Sequence, residues 1–84
     1  MINQATCKAL LIQAEQIRSA RNIWSKNFHT SACYGAANVL RDMNLMSEPE
    51  ADRFLLLAEN ASTYRSLELQ EEDRQSRLAE ISTR

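Results

Sequence analysis

The chain reads as an all-α protein: a small helical bundle built on an αα-hairpin, with a long C-terminal helix. Three observations predict this. Gly and Pro, the usual punctuation of a folded chain, occur once each in 84 residues. Apolar residues recur at three- and four-residue spacings over most of the length. Ser47-Glu48-Pro49-Glu50 places Glu three residues after Ser, the pattern of a capping box, with Pro in the first turn where its missing N–H is not needed. A long helix is therefore expected to start near residue 48.

The first helix is expected to open on Asn3 as N-cap and to run to about Trp24. Cys7, Leu10, Ala14, Ile17 and Trp24 form one apolar stripe, which Leu11 and Ile12 broaden. Arg21 interrupts the stripe, and its aliphatic stem can lie along it while the charged end reaches water. Residues 25–31, Ser-Lys-Asn-Phe-His-Thr-Ser, are rich in side chains that compete for backbone hydrogen bonds. They are expected to form a loop, with Thr30 or Ser31 capping the next helix; a single kinked helix over 4–44 is the alternative. The second helix, Ala32 to about Asn44, carries Ala32, Ala36, Val39, Leu40 and Met43 on its apolar face. Gly35, among Ala32, Cys33, Ala36 and Ala37, suggests a surface where a neighbouring helix comes close. Asn44-Leu45-Met46 is short enough to make the flanking helices an antiparallel hairpin.

The last helix is expected from Glu48 to Ile81, about 50 Å at 1.5 Å per residue. Ala51, Phe54, Leu55, Ala58 and Ser62 make one stripe on it; Leu57, Tyr64, Leu67, Leu78 and Ile81 make another. Residues 68–77 are nearly all polar, and Asp73–Arg77 and Glu80–Arg84 are acid-before-base pairs at the spacing that supports a solvated helix. The helix outruns the two shorter ones, so residues 68–84 are expected to be a solvated or partner-bound helical tail on a single domain spanning 1–84. The expected core is Leu10, Ala14, Ile17, Trp24, Ala36, Val39, Leu40, Met43, Phe54, Leu55 and Ala58. If Leu40 or Leu55 is buried, its truncation to Ala should cost about 2–5 kcal/mol.

Composition narrows the function classes. A chain this short buries only about 60–65% of its unfolded surface and gains from an oligomeric partner. Hydrophobic residues at 44% and charged residues at 25% are ordinary for a folded domain. The longest apolar run, Phe54 to Ala58, is far too short to span a bilayer. The N-terminus lacks the cationic start and apolar core of a signal peptide, and two cysteines are too few for a disulfide framework, so a cytoplasmic setting is expected. The net charge of −1 hides an asymmetry. Residues 1–45 hold Lys8, Arg18, Arg21, Lys26 and Arg41 against Glu15 and Asp42, whereas residues 46–84 hold five arginines against nine acids. Two copies could associate antiparallel on this basis, although charge runs are usually just solvated faces.

Catalytic chemistry finds little here. His29 and Cys33 are four apart, which on a helix would place a thiol beside an imidazole. With Cys7 the chain offers three Cys and His residues in all, fewer than a four-ligand zinc site needs. A single Gly excludes a Gly-rich phosphate loop, and Glu71, Glu72 and Asp73 have no apolar residues around them to perturb a carboxylate. No catalytic residue, metal site or cofactor is expected, and the protein reads as a non-enzyme. The expectation is a non-enzymatic interaction module: a regulator or adaptor that binds a partner protein stoichiometrically, as a homodimer, through Tyr64, Leu67, Leu69, Leu78 and Ile81. Apolar anchors with a polar rim suffice for such docking. The alternative is a nucleic-acid-binding regulator using Arg18, Arg21, Lys26 and His29 against phosphates, with Trp24, Phe28 and Tyr34 as stacking surfaces. The mildly acidic chain lacks the strong basic footprint of such proteins. No helix pairs a Lys/Arg-rich face with bulky apolar residues, so membrane association is not expected.

Overall fold

The computed structural model describes residues 3–82. It comprises three helices: α1 (Gln4–Arg18), α2 (Ile23–Asp42) and α3 (Glu48–Ser82). Among the described residues there are no strands. α2 returns antiparallel to α1, and α3 returns antiparallel to α2, so all three pack side by side in a small bundle. The molecule is a rod of 59 × 18 × 15 Å, because the 35-residue α3 outruns its neighbours.

Each helix boundary has a hydrogen-bonding cause. Asn3 caps α1, its side chain accepting from the Thr6 N–H at 2.8 Å. Ser47 and Glu50 form the reciprocal capping box expected of α3: the Glu50 N–H donates to Ser47 Oγ at 3.2 Å, and the Ser47 N–H to Glu50 Oε1 at 3.0 Å. α2 ends in a Schellman motif. Asn44 takes the left-handed conformation (φ 59°), the Leu45 N–H reaches the Leu40 carbonyl at 2.9 Å, and the Asn44 N–H reaches that of Arg41 at 3.0 Å. Asn fills the position Gly usually takes because its short polar side chain tolerates that conformation.

The break between α1 and α2 is at 19–22, not at 25–31. Asn22 supplies the cap, accepting from the Ser25 N–H at 2.8 Å, and Ser19 Oγ closes α1 by donating to the Glu15 carbonyl at 3.0 Å. The polar residues of 25–31 are absorbed within α2. Thr30 Oγ1 donates back to the Lys26 carbonyl at 2.7 Å, and Asn27 and Ser31 point to solvent. α2 therefore begins at Ile23 rather than Ala32, and the face it buries differs from the expected one. Trp24, Val39 and Met43, expected in the core, are exposed. Cys33 and Ala37 are buried instead, and Gly35 lies on the outer face, where a Cβ would meet nothing within 4 Å. No helix of this chain approaches it there.

The core is built largely from small residues. Ile17, Cys33, Ala58 and Ala61 form one cluster with Tyr34 packed against it; Leu10, Met46 and Ala51 form another, flanked by Ala36, Leu40 and Phe54. Leu10, Ala14, Ile17 and Ala58 are buried as expected; Ala36, Leu40, Phe54 and Leu55 are half-buried. Ile17→Ala should therefore lower stability by about 2–5 kcal/mol in denaturant titration, and Trp24→Ala should stay within about 0.5 kcal/mol. Gly35→Ala should raise stability by about 0.5–1 kcal/mol, since the site is helical, exposed and unobstructed.

Candidate functional site

Two apolar stripes remain uncovered on the outer faces of the bundle. The first runs along α3. Its core-facing side is set by Ala51, Ala58 and Ala61; Leu57 and Tyr64 lie on the flank beside α1, and Leu67, Leu78 and Ile81 continue the stripe onto the outer side. Tyr64 is 62% exposed and Ile81 66%. At 57, 60, 64, 67, 71, 74, 78 and 81 the spacing alternates three and four without a break, the repeat of a helix–helix seam. Asn60, Glu71 and Arg74 are the polar members. Glu71 and Arg74 lie 3.6 Å apart as an i,i+3 ion pair on that surface. At its N-terminal end the stripe forms one wall of an apolar groove whose other wall is Leu11, Ala14, Glu15 and Arg18 of α1. The Arg18 guanidinium stands 5.9 Å from the Tyr64 ring centre, a cation–π distance.

Leu69 does not belong to this stripe. It is half-buried and lines a crevice with Arg21, Asn22 and Ile23 at the α1–α2 turn. Beyond Ser76, the last residue of α3 lining that crevice, Leu78 and Ile81 stand on turns that no other helix flanks. Asp73 and Arg77 form the expected pair at 2.9 Å, whereas Arg84 of the second expected pair lies outside the described residues.

The second stripe lies on α2. Trp24, 76% exposed, stacks on Phe28 with ring centres 5.9 Å apart, and His29 meets Phe28 edge-on at 5.3 Å. Val39 and Met43 continue the exposed face. Tyr34 does not join them; it packs against the Ile17 cluster.

The basic residues of the N-terminal half are largely engaged within the chain. Lys26 is only 8% exposed, and its Nζ donates to Ser66 Oγ at 2.7 Å. Arg18 pairs with Glu68. Arg21 shares its crevice with Glu72 and Asp73. Arg65 ties the α1–α2 turn to α3: its Nε donates to the Ala20 carbonyl at 2.6 Å, while its Nη1 lies 3.2 Å from Glu72 and 3.8 Å from Glu68. Arg18, Glu68, Arg65 and Glu72 thus form a network of alternating charge. A reading of charge and spacing alone misses Lys26 and Arg65 as internal ties, because their partners are 40 and 45 residues away.

Cys33 is buried, and burial pushes its thiol above the ordinary range. That suppresses thiolate, the reactive form. Among the described residues no group of three or more His, Cys, Asp and Glu side chains could hold a metal ion, and no helix is long and apolar enough to cross a membrane. Thiol titration of the native protein should show Cys7, which is partly exposed, reacting rapidly, and Cys33 reacting only on unfolding. No protein-family model, curated protein or solved structure matches this chain.

Proposed function

We propose that the protein is a non-enzymatic interaction module, a regulator or adaptor that acts by stoichiometric binding and works as a homodimer joined through the outer face of α3. The observation that carries this reading is the uncovered stripe Leu57, Tyr64, Leu67, Leu78 and Ile81, set at helix-pairing spacing and continued past the end of the bundle. A monomer gains nothing from large side chains held in water; a second helix laid on them removes that apolar area from solvent. The buried, unactivated Cys33 supports a binding role over catalysis. Its free thiols, with Cys7, fit a reducing, cytoplasmic setting.

In this reading the aromatic face of α2 remains available to the protein that is regulated. Large exposed aromatics such as Trp24 and Phe28 are of the type that dominates interface energetics. Nucleic-acid binding through the N-terminal half has less support. Lys26 is turned inward, and Arg18 and Arg21 stand beside carboxylates of α3.

Light scattering of the full chain should give twice the 9.6 kDa protomer mass. Leu67→Asp and Leu78→Asp should each produce a monomer with undiminished helix content, while Trp24→Asp should leave the dimer intact. A monomeric parent chain would overturn the homodimer and assign the α3 stripe to a different protein.

A further inference from the structure

We infer that the dimer is an antiparallel two-stranded coiled coil of α3 residues 64–81, its register fixed by reciprocal Glu71–Arg74 layers at the two-fold axis. This rests on the reading that α3 mediates self-association, and it names the partner surface and its register.

In a two-stranded seam the side chains at three- and four-residue spacing meet in layers. Arranged antiparallel about the midpoint between Glu72 and Asp73, the layers are Tyr64 with Ile81, Leu67 with Leu78, and Glu71 with Arg74, each occurring twice by symmetry. At the seam positions within residues 64–81, each apolar residue then meets an apolar residue and each charge meets its opposite. Glu71 and Arg74 already lie 3.6 Å apart within one helix. Pairing across the axis closes them into a square of alternating charge with side chains more than half exposed in the protomer.

The competing registers are worse on the same residues. A parallel dimer sets Glu71 on Glu71 and Arg74 on Arg74, two like-charge layers, and such juxtaposition strongly disfavours a partner arrangement. An antiparallel dimer shifted by one heptad toward the N-terminus puts Glu71 against Leu67 and Asn60 against Leu78, burying polar groups on apolar ones. A shift the other way puts Glu71 against Ile81 and Arg74 against Leu78, again burying charges on apolar side chains. Segment charge agrees: residues 74–82 carry Arg74, Arg77 and Glu80, net positive, and residues 63–71 carry Arg65, Glu68 and Glu71, net negative. The chosen register lays the first segment of one chain along the second of the other. Glu72 and Asp73, also near the axis, line the crevice at the α1–α2 turn and lie off the seam.

The arrangement is compatible with the bundle. α1 and α2 pack on the Ala51–Ala58–Ala61 side of α3; α1 borders the seam at Tyr64, beside Arg18, and the seam from Leu67 onward is exposed, so the two bundles lie on the outer sides of the pair. The turns bearing Leu78 and Ile81, which no helix of their own chain flanks, come to rest on the back of the partner's bundle. The repeat drifts by about 20° per heptad relative to a straight helix, so the two strands wrap left-handedly.

Sedimentation equilibrium on full-length variants tests this. Glu71→Arg and Arg74→Glu should each weaken the dimer by at least about tenfold, since each sets like charges in both central layers. The double variant Glu71→Arg/Arg74→Glu should return to within about threefold of the parent, because both layers again pair opposite charges. Both positions are solvent-exposed in the protomer, so circular dichroism should be unchanged. A spin label at Ser82→Cys in a Cys7→Ser background reports orientation, Cys33 being buried and unlabelled. Residue 82 lies opposite residue 63 of the other strand, so the two labels should stand about 30 Å apart, against roughly 10 Å in a parallel pair. A parent dimer that is insensitive to the single charge changes, or that gives the short label distance, overturns this register and leaves α3-mediated self-association standing. A parent chain that stays monomeric into the high micromolar range overturns both.

Discussion

The three helices meet on small side chains, and the close approach this permits governs the rest of the molecule. Ala51, Ala58 and Ala61 line the inner side of α3, Ala14 and Ile17 face them from α1, and Cys33 and Ala37 from α2. Among the described residues the bulky apolar side chains that are buried are Leu10, Ile17 and Met46; the other buried apolar residues are alanines and Cys33. A narrow seam brings helix backbones together and buries their own surfaces efficiently, but it has no volume for Trp, Phe or many Leu residues. Most of the bulky apolar residues, apart from Leu10, Ile17 and Met46, therefore lie partly or wholly on the outside. Trp24, Phe28, Val39 and Met43 on α2, and Tyr64, Leu67, Leu78 and Ile81 on α3, all lie on faces the seam cannot reach.

Polar ties then lock the arrangement where the seam runs out. Near the α1–α2 turn, Arg65 holds the carbonyl of the buried Ala20 and lies between Glu68 and Glu72, while Lys26 reaches Ser66. A buried cation without a partner would be strongly unfavourable, so these side chains specify how far α3 slides along α2 as well as holding it there. The same pairs draw the basic residues of the N-terminal half toward the acidic C-terminal half. The charge asymmetry between the two halves is thus neutralised in part within one chain.

Much of the architecture is legible locally. Helix caps depend on a few neighbouring residues, so Asn3, the Ser47–Glu50 capping box and the long α3 can all be read from sequence. The loop expected at 25–31 fails because the propensity of Ser, Asn and Thr to leave a helix is weak, and here Asn27 and Ser31 face water while Thr30 bonds back into α2. Asn22, which supplies the cap, lies eight positions before Thr30 and nine before Ser31.

The sequence by itself determined the fold class, the caps of α1 and α3, the hairpin connection, and the presence of a second apolar stripe on α3, because each is encoded by residues within one or two helical turns. Tertiary structure alone decided which stripe is interior. Helical spacing ranks Trp24 and Ile17 alike as members of one face, yet Ile17 is sealed and Trp24 is 76% exposed. It also decided that Leu69, expected at the docking surface, lines the crevice at the α1–α2 turn, and that Lys26 points inward. These outcomes depend on how three helices share a limited interior, and that competition among segments distant in sequence is absent from any one of them.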